Sequence, residues 1–229
     1  MKTVTSVWLY GSIARADADA QSDVDVLVVS NAADWRTGLE ARGIVEGRAL
    51  SPIHFGWAEV AGMAAYGSLF LHHVRLEGRP LGHGDDPLAA LLEALVPYQR
   101  AGQEIRAFDT VLDDVRRSIG GPHSPAYELA VIATALRHAF ILGCYVSAEP
   151  DFGRTSPFRR LCCIFGESSE LAAEISSLYD FRLYQQGRAH MPFVPTTADV
   201  QQWLDTADGL LARIRERVDV FDRALHRAA

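Results

Sequence analysis

The sequence predicts an α/β (α+β) protein in two parts, a small strand-containing domain over residues 1–87 and an α-helical bundle over residues 88–229. Three observations carry this reading. Short runs rich in β-branched and aromatic residues, set between glycine-bearing turns, lie in the first part. Apolar residues at helical spacing fill the second. The cluster Gly82-His83-Gly84-Asp85-Asp86-Pro87 punctuates the chain between them.

In chain order, Val4–Tyr10 (VTSVWLY) and Val24–Ser30 (VDVLVVS) read as strands bounded by turn formers. Residues 32–42 read as a helix. Ala49–Trp57 (ALSPIHFGW) reads as a third strand, and Pro52 places it at a sheet edge or at the start of the strand. Glu59–Leu76 is helical, with an interruption near Gly67. In the second part Leu91–Ile119 and Ser168–Gln186 supply helices. Tyr127–Val146 is apolar almost all round, which marks a central buried helix. Leu204, Leu211, Ile214, Val218, Phe221 and Leu225 form one apolar helical stripe. Breaks fall at Gly120-Gly121-Pro122, Glu149-Pro150 and Pro192–Pro195.

Composition removes several function classes. Apolar residues make up 48% of 229 residues, a globular proportion that excludes wholesale disorder. The 22 basic and 29 acidic residues give a net charge of −7, and acids outnumber bases in both parts. A protein that grips nucleic acid or an anionic membrane is usually basic, so neither is an expected partner. Cys144, Cys162 and Cys163 are too few for a disulfide framework and lack metal-ligand spacing; they are expected as buried structural thiols. Met1–Tyr10 has no basic start followed by a long apolar run, and no apolar stretch is expected to reach the roughly 20 residues of a membrane helix. The expected location is the cytoplasm.

The chemistry concentrates in Gly11–Val29 (GSIARADADAQSDVDVLVV). A strand ends in Gly11-Ser12, a loop carries Arg15 and Asp17, and Ser22-Asp23-Val24-Asp25 enters the next strand. Strand side chains alternate faces, so Asp23 and Asp25 are expected to project together while Val24 points to the core. Paired carboxylates suit Mg²⁺, which takes few protein oxygens and completes its shell with water and phosphate. Gly11 lets backbone approach a phosphate, Ser12 adds a hydroxyl, and the forked donors of Arg15 suit phosphate charge. Taken singly, a Gly-Ser turn or an Asp-x-Asp is ordinary surface structure; their order and tight spacing before an apolar strand are not.

At these residues the chain resembles the nucleotidyltransferases of the DNA polymerase β superfamily, most closely the minimal prokaryotic branch. The family pattern of Gly-Ser, an arginine-bearing loop and Ser-Asp-x-Asp is met at Gly11, Ser12, Ala14, Arg15, Asp17, Ser22, Asp23 and Asp25. Leu76-Glu77-Gly78-Arg79-Pro80-Leu81 is similar to the segment that closes the family's domain. The resemblance spans about residues 4–82. It implies a mixed sheet with flanking helices, Mg²⁺ held by Asp23 and Asp25, and a phosphate-binding set of Gly11, Ser12, Arg15 and Ser22. The implied reaction moves a nucleoside monophosphate from ATP or another NTP to a hydroxyl of a small molecule or protein, with release of pyrophosphate.

The family often carries a third carboxylate on a later strand. Here that strand is Ser51-Pro52-Ile53-His54-Phe55, with Glu46 before it and Glu59 after it. His54 is the candidate substitute, since neutral imidazole serves as base or metal ligand; the reading that carries more weight is a hydrogen-bonded, partly buried histidine. His72-His73 points two rings about 100° apart on a helix, a poor chelating pair. Arg137-His138 faces either a substrate cleft or a buried partner. Arg117 and His123 have the spacing of a helical ribonuclease pair, but Gly120-Gly121-Pro122 breaks any helix that would hold both. Asp151–Arg154 and Tyr179–Arg188 either line a cleft or cap helices. The helical half is read as a substrate-side or dimerising bundle, so a homodimer is among the expected partners. The alternative function is a non-catalytic nucleotidyltransferase fold that binds a nucleotide or a partner, as in toxin–antitoxin or defence pairs.

Overall fold

A computed structural model of the chain describes residues 5–18, 22–36, 48–82 and 85–228. The described residues fall into two compact units, Met1–Gln99 and Arg100–Ala229.

The first unit is built on four strands in the order β3-β2-β1-β4, with β1 at Thr5–Tyr10, β2 at Val24–Ser30, β3 at Leu50–Phe55 and β4 at Arg79–Pro80. β2 and β4 run antiparallel to β1, and β3 runs parallel to β2, so the sheet is mixed. Pro52 lies in β3 at the sheet edge, the place where a residue without an N–H is tolerated. The short β4 had no run of strand formers to reveal it.

Both faces of the sheet are covered. Trp8, Leu27 and Val29 pack on one side with Val60 of α2 (Trp57–Ala65), Leu71 and Val74 of α3 (Leu69–Glu77) and Leu88 and Leu92 of α4 (Pro87–Glu93). Val7, Val24, Val26 and Val28 form the other side with Ile13, Trp35 and Leu81. Such burial explains why β2 is apolar nearly throughout rather than alternating; each fully buried Leu or Val stabilises by about 1.5–3 kcal/mol. Because α4 contributes Leu88 and Leu92 to this core, the first unit continues past residue 87. Asp86 ties the same junction: it accepts from Ser6 Oγ at 2.5 Å, Trp8 Nε1 at 2.9 Å and the Leu88 backbone N–H at 2.9 Å. The expected helix over 32–42 falls largely outside the described residues.

The second unit is a bundle of α5 (Ala101–Ser118), α6 (Pro125–Val146), α7 (Ser156–Phe165), α8 (Ser169–Gln185) and α9 (Thr197–Ala228). The single helix expected over Leu91–Ile119 is two helices, since the chain leaves helical geometry ahead of Pro97, and α7 was not foreseen. α6 is the hub and packs against α5, α7, α8 and α9. At Gly143 of α6 a Cβ would stand 2.6 Å from Leu161 Cδ2, so a larger residue there would make the Leu161 side chain of α7 shift. By length and composition α6 could cross a membrane, contrary to the expectation that no stretch would, yet most of it is buried in the bundle core. Ser124 caps its first turn and Pro125 follows at the first helical position. Cys144 and Cys162 are buried as expected, whereas Cys163 is exposed on the outer side of α7.

Candidate active site

The first unit's polar residues gather where β1 ends. Tyr10 closes β1, Gly11 opens α1 (Gly11–Arg15), and Tyr10 lies opposite Asp25 of β2. Gly11 has φ +73°, and a Cβ there would stand 2.5 Å from Asp25 Oδ2. Glycine is therefore required twice, by backbone conformation and by the carboxylate lying over it. Asp23, half-buried, lies just ahead of β2, and Val24 between the two acids is buried in the opposite face. Ser22 is buried, and its carbonyl accepts from Arg48 Nη1 at 3.0 Å, which pins the approach to β2. The half-buried Ser12 hydroxyl has no hydrogen bond among the described residues.

A second group flanks this corner. Glu77, at the end of α3, accepts from Arg15 Nη1 at 2.6 Å and pairs with His73 Nε2 at 2.8 Å. Arg15 Nε also donates to Asp17 at 3.0 Å. Burial alone would raise the pKa of Glu77, but the hydrogen bonds and charges of His73 and Arg15 outweigh it and hold the carboxylate low. Burial likewise opposes the charge of Arg15, and its bonds to Asp17 and Glu77 prevail. The ring of His73 meets Tyr10 edge-on at 5.4 Å. Burial, and then the Asp25 charge, push the Tyr10 hydroxyl well above its ordinary range, so it stays protonated beside the acids.

The expected site residues thus divide. Gly11, Ser12, Ser22, Asp23 and Asp25 come to one corner. Arg15 stands beside them, engaged with two carboxylates as a strut between α1 and α3 rather than as a free cation. His54 does not join them. It pairs with Val28 three positions along β3 from the partner of Asp25, and it belongs to the opposite face of the sheet. There it stacks on Trp35 at 4.7 Å and hydrogen-bonds through Nε2 to the Ser30 carbonyl at 2.8 Å. Strand parity is the physical reason: Asp25 and Ser51 share one face, while His54, an odd number of residues from Ser51, lies on the other. Tyr10, His73 and Glu77 were not selected as site residues. The available signal was the i,i+4 spacing of His73 and Glu77 on one helix, hidden by the adjacent His72. His72 itself is buried and bonds the Val96 carbonyl.

The donor set fits a hard divalent ion: two carboxylates of the kind Mg²⁺ accepts, one of them, Asp25, lying against Gly11. Among the described residues no group of three His, Cys, Asp or Glu side chains forms a closed metal cage. An ion held here would need oxygens from substrate and water.

Residues 1–68 match the family model of the nucleotidyltransferase domain. Over these residues the chain is similar to nucleotidyltransferase domains. The match ends within the first unit: it covers β1, β2 and β3 with Asp23 and Asp25 and leaves β4 and the bundle of residues 100–229 outside it. No curated protein matches the chain. Nucleotidyltransferase domains use an NTP and a divalent metal in general, and the corner of Gly11, Asp23 and Asp25 lies in the matched segment.

Proposed function

We propose that the chain is a Mg²⁺-dependent nucleotidyltransferase that moves a nucleoside monophosphate, AMP from ATP as the expected donor, onto a hydroxyl of a small molecule or protein. The observation that carries this is the closure of Asp25 over a glycine that tolerates no side chain, with Asp23 just upstream. Asp23 and Asp25 would hold Mg²⁺, which neutralises triphosphate charge when bound. Gly11 allows the phosphates to approach the backbone, and the Ser12 hydroxyl is available to donate to a phosphate oxygen. The acceptor oxygen forms a new bond to the α-phosphorus, the bond to the bridging oxygen of the β-phosphate breaks, and the hydroxyl proton passes to solvent or to one of the carboxylates. Such transfer depends on positioning and charge neutralisation more than on covalent help from the protein. The reading places the chain in the cytoplasm, where NTPs and Mg²⁺ are supplied.

The test is pyrophosphate release from each NTP with Mg²⁺ and a pool of hydroxyl acceptors. Asp23→Asn with Asp25→Asn is expected to lower release by about 10²-fold or more with the melting temperature maintained. The engagement of Arg15 with Asp17 and Glu77, and of His54 with Ser30, favours a second reading as a non-catalytic nucleotide-binding module. That reading predicts calorimetric ATP binding that the double variant loses, with no release from the wild-type chain. Neither release nor binding would sink both.

A further inference from the structure

The second unit carries a groove of about 270 Å³ between α5, α6 and α8. Phe108 and Tyr127 are among its apolar walls, and Thr134, His138, Arg182 and Gln185 bring its polar atoms; no carboxylate lines it. Thr134 turns its hydroxyl back to the Ala130 carbonyl at 2.7 Å, so it serves as wall rather than donor. Arg182 is half-buried. Among the described residues Arg182 meets no carboxylate. A partly desolvated guanidinium without a counter-ion is an unfavourable arrangement that an arriving anion relieves.

The neighbouring charge points the same way. Arg137, beside His138 in the chain, is held by the carbonyls of Phe152, Gly153 and Arg154 and lies over the Tyr179 ring at 5.9 Å. The His138 ring opens to the groove while the bundle crowds its surroundings; this desolvation, with the charges of Arg137 and Arg182, pulls its pKa down to about 4. At neutral pH the ring is therefore uncharged, with one N–H to donate and no hydrogen-bond partner among the described residues. The groove thus combines apolar walls, one unpaired cation and two neutral donors, His138 and Gln185. Its volume lies below the range of drug-sized sites, so its occupant is compact.

We propose that this groove binds a small planar anion, with its ring against Phe108 and Tyr127 and its carboxylate or phosphate on Arg182, His138 and Gln185. The proposal does not rest on nucleotidyl transfer. The experiment titrates the full chain by calorimetry with phenylacetate, phenyl phosphate, the neutral phenylacetamide and inorganic phosphate. The two ring-bearing anions are expected to bind, with the amide and inorganic phosphate each weaker by about tenfold or more. The tighter of the two anions identifies a carboxylate or a phosphate monoester as the natural head group. Arg182→Gln is expected to weaken both anions about tenfold and leave the amide unchanged, with Arg182→Lys intermediate. Val131→Trp, which fills the groove from its wall, should abolish binding of all four. The Asp23→Asn, Asp25→Asn double variant should bind the anions as the wild type does, which separates this groove from the nucleotide site. Equal binding of amide and anions, equal binding of inorganic phosphate and phenyl phosphate, an Arg182→Gln variant that binds normally, or a wild-type chain that binds no probe at millimolar concentration would each overturn the assignment.

Discussion

In the first unit a set of charged and aromatic side chains converges on one corner of a sheet, whereas in the second several ion pairs lie on the outside of a bundle. Asp25, Tyr10, His73, Glu77, Arg15 and Asp17 form a connected chain of contacts around Gly11. The ion pairs of the bundle, such as Arg215 with Asp109 and Arg117 with Asp114, stand apart from one another on helix surfaces. Both units have apolar cores, so packing does not distinguish them. The difference lies in what polar groups are asked to do. Scattered pairs adjust solubility and local helix geometry, while a converged, partly desolvated set is an arrangement that binding sites share with structural ion-pair networks.

Two glycines give the sharpest way to break the comparison. Gly11 and Gly166 have nearly the same φ, +73° and +70°. At Gly166, which ends α7, a Cβ would meet nothing within 4 Å; at Gly11 it would strike Asp25. Gly166→Ala should therefore cost only the left-handed strain, about 1 kcal/mol in chemical denaturation, and leave transfer untouched. Gly11→Ala should cost about 2–3 kcal/mol, because Asp25 must also move, and lower pyrophosphate release about 10²-fold. Release within about threefold of wild type would mean that the Asp25 carboxylate is not held where the reaction needs it.

The same contrast explains what the sequence made legible. Gly11, Ser12, Asp23 and Asp25 could be singled out because their types and order fall within one short stretch, and β2 runs over Val24–Ser30 as its β-branched residues predict. His54 could not be placed from sequence, since its side depends on a register with β2 that no local pattern encodes. Glu77 and His73 reach the corner only through the packing of α3 on β1, a long-range contact. In the bundle, the stripe through Leu204, Leu211, Ile214 and Val218 predicted α9 and its buried face. Periodicity specified which face is apolar and was silent on Arg182, because a half-buried arginine has the same one-letter signature as a surface one.

His72 supplies the next test. It is 1% exposed, and burial, followed by the charge of Arg75, pulls its pKa down to about 4 against the opposing hydrogen bond to Val96. The unfolded histidine titrates near 6.5. Between those values the unfolded chain takes up a proton that the folded chain refuses. Stability from this residue is therefore complete above pH ~6.5 and is lost as pH falls toward 4, by on the order of 2–3 kcal/mol. His138 in the bundle shifts the same way, but its ring faces solvent, so its contribution is smaller. Denaturation midpoints of His72→Gln across pH 7.5 to 4.5 should fall less steeply than those of wild type. An unchanged slope would assign the acid sensitivity to the second unit.

The smallest expected effects compare two ion pairs. Glu77 and Arg15 have side-chain exposures of 14% and 20%, against 65% and 69% for Asp114 and Arg117. In water a charge pair gains little, whereas a half-buried one that loses a member leaves the other desolvated and unmatched. Glu77→Gln strands Arg15 on Asp17 alone and takes the charged acceptor from His73. It should cost about 1–2 kcal/mol and slow transfer several-fold by letting α1 shift beneath Asp25. Asp114→Asn should stay within about 0.5 kcal/mol of wild type. Salt separates the two further. At 1 M NaCl, where the screening length is about 3 Å, the Asp114→Asn difference should vanish, while that of Glu77→Gln should persist because solvent ions have little access to the pair. If salt erased both alike, the Arg15–Glu77 strut would behave as a surface pair, and the order at the Gly11 corner would have to come from the sheet alone.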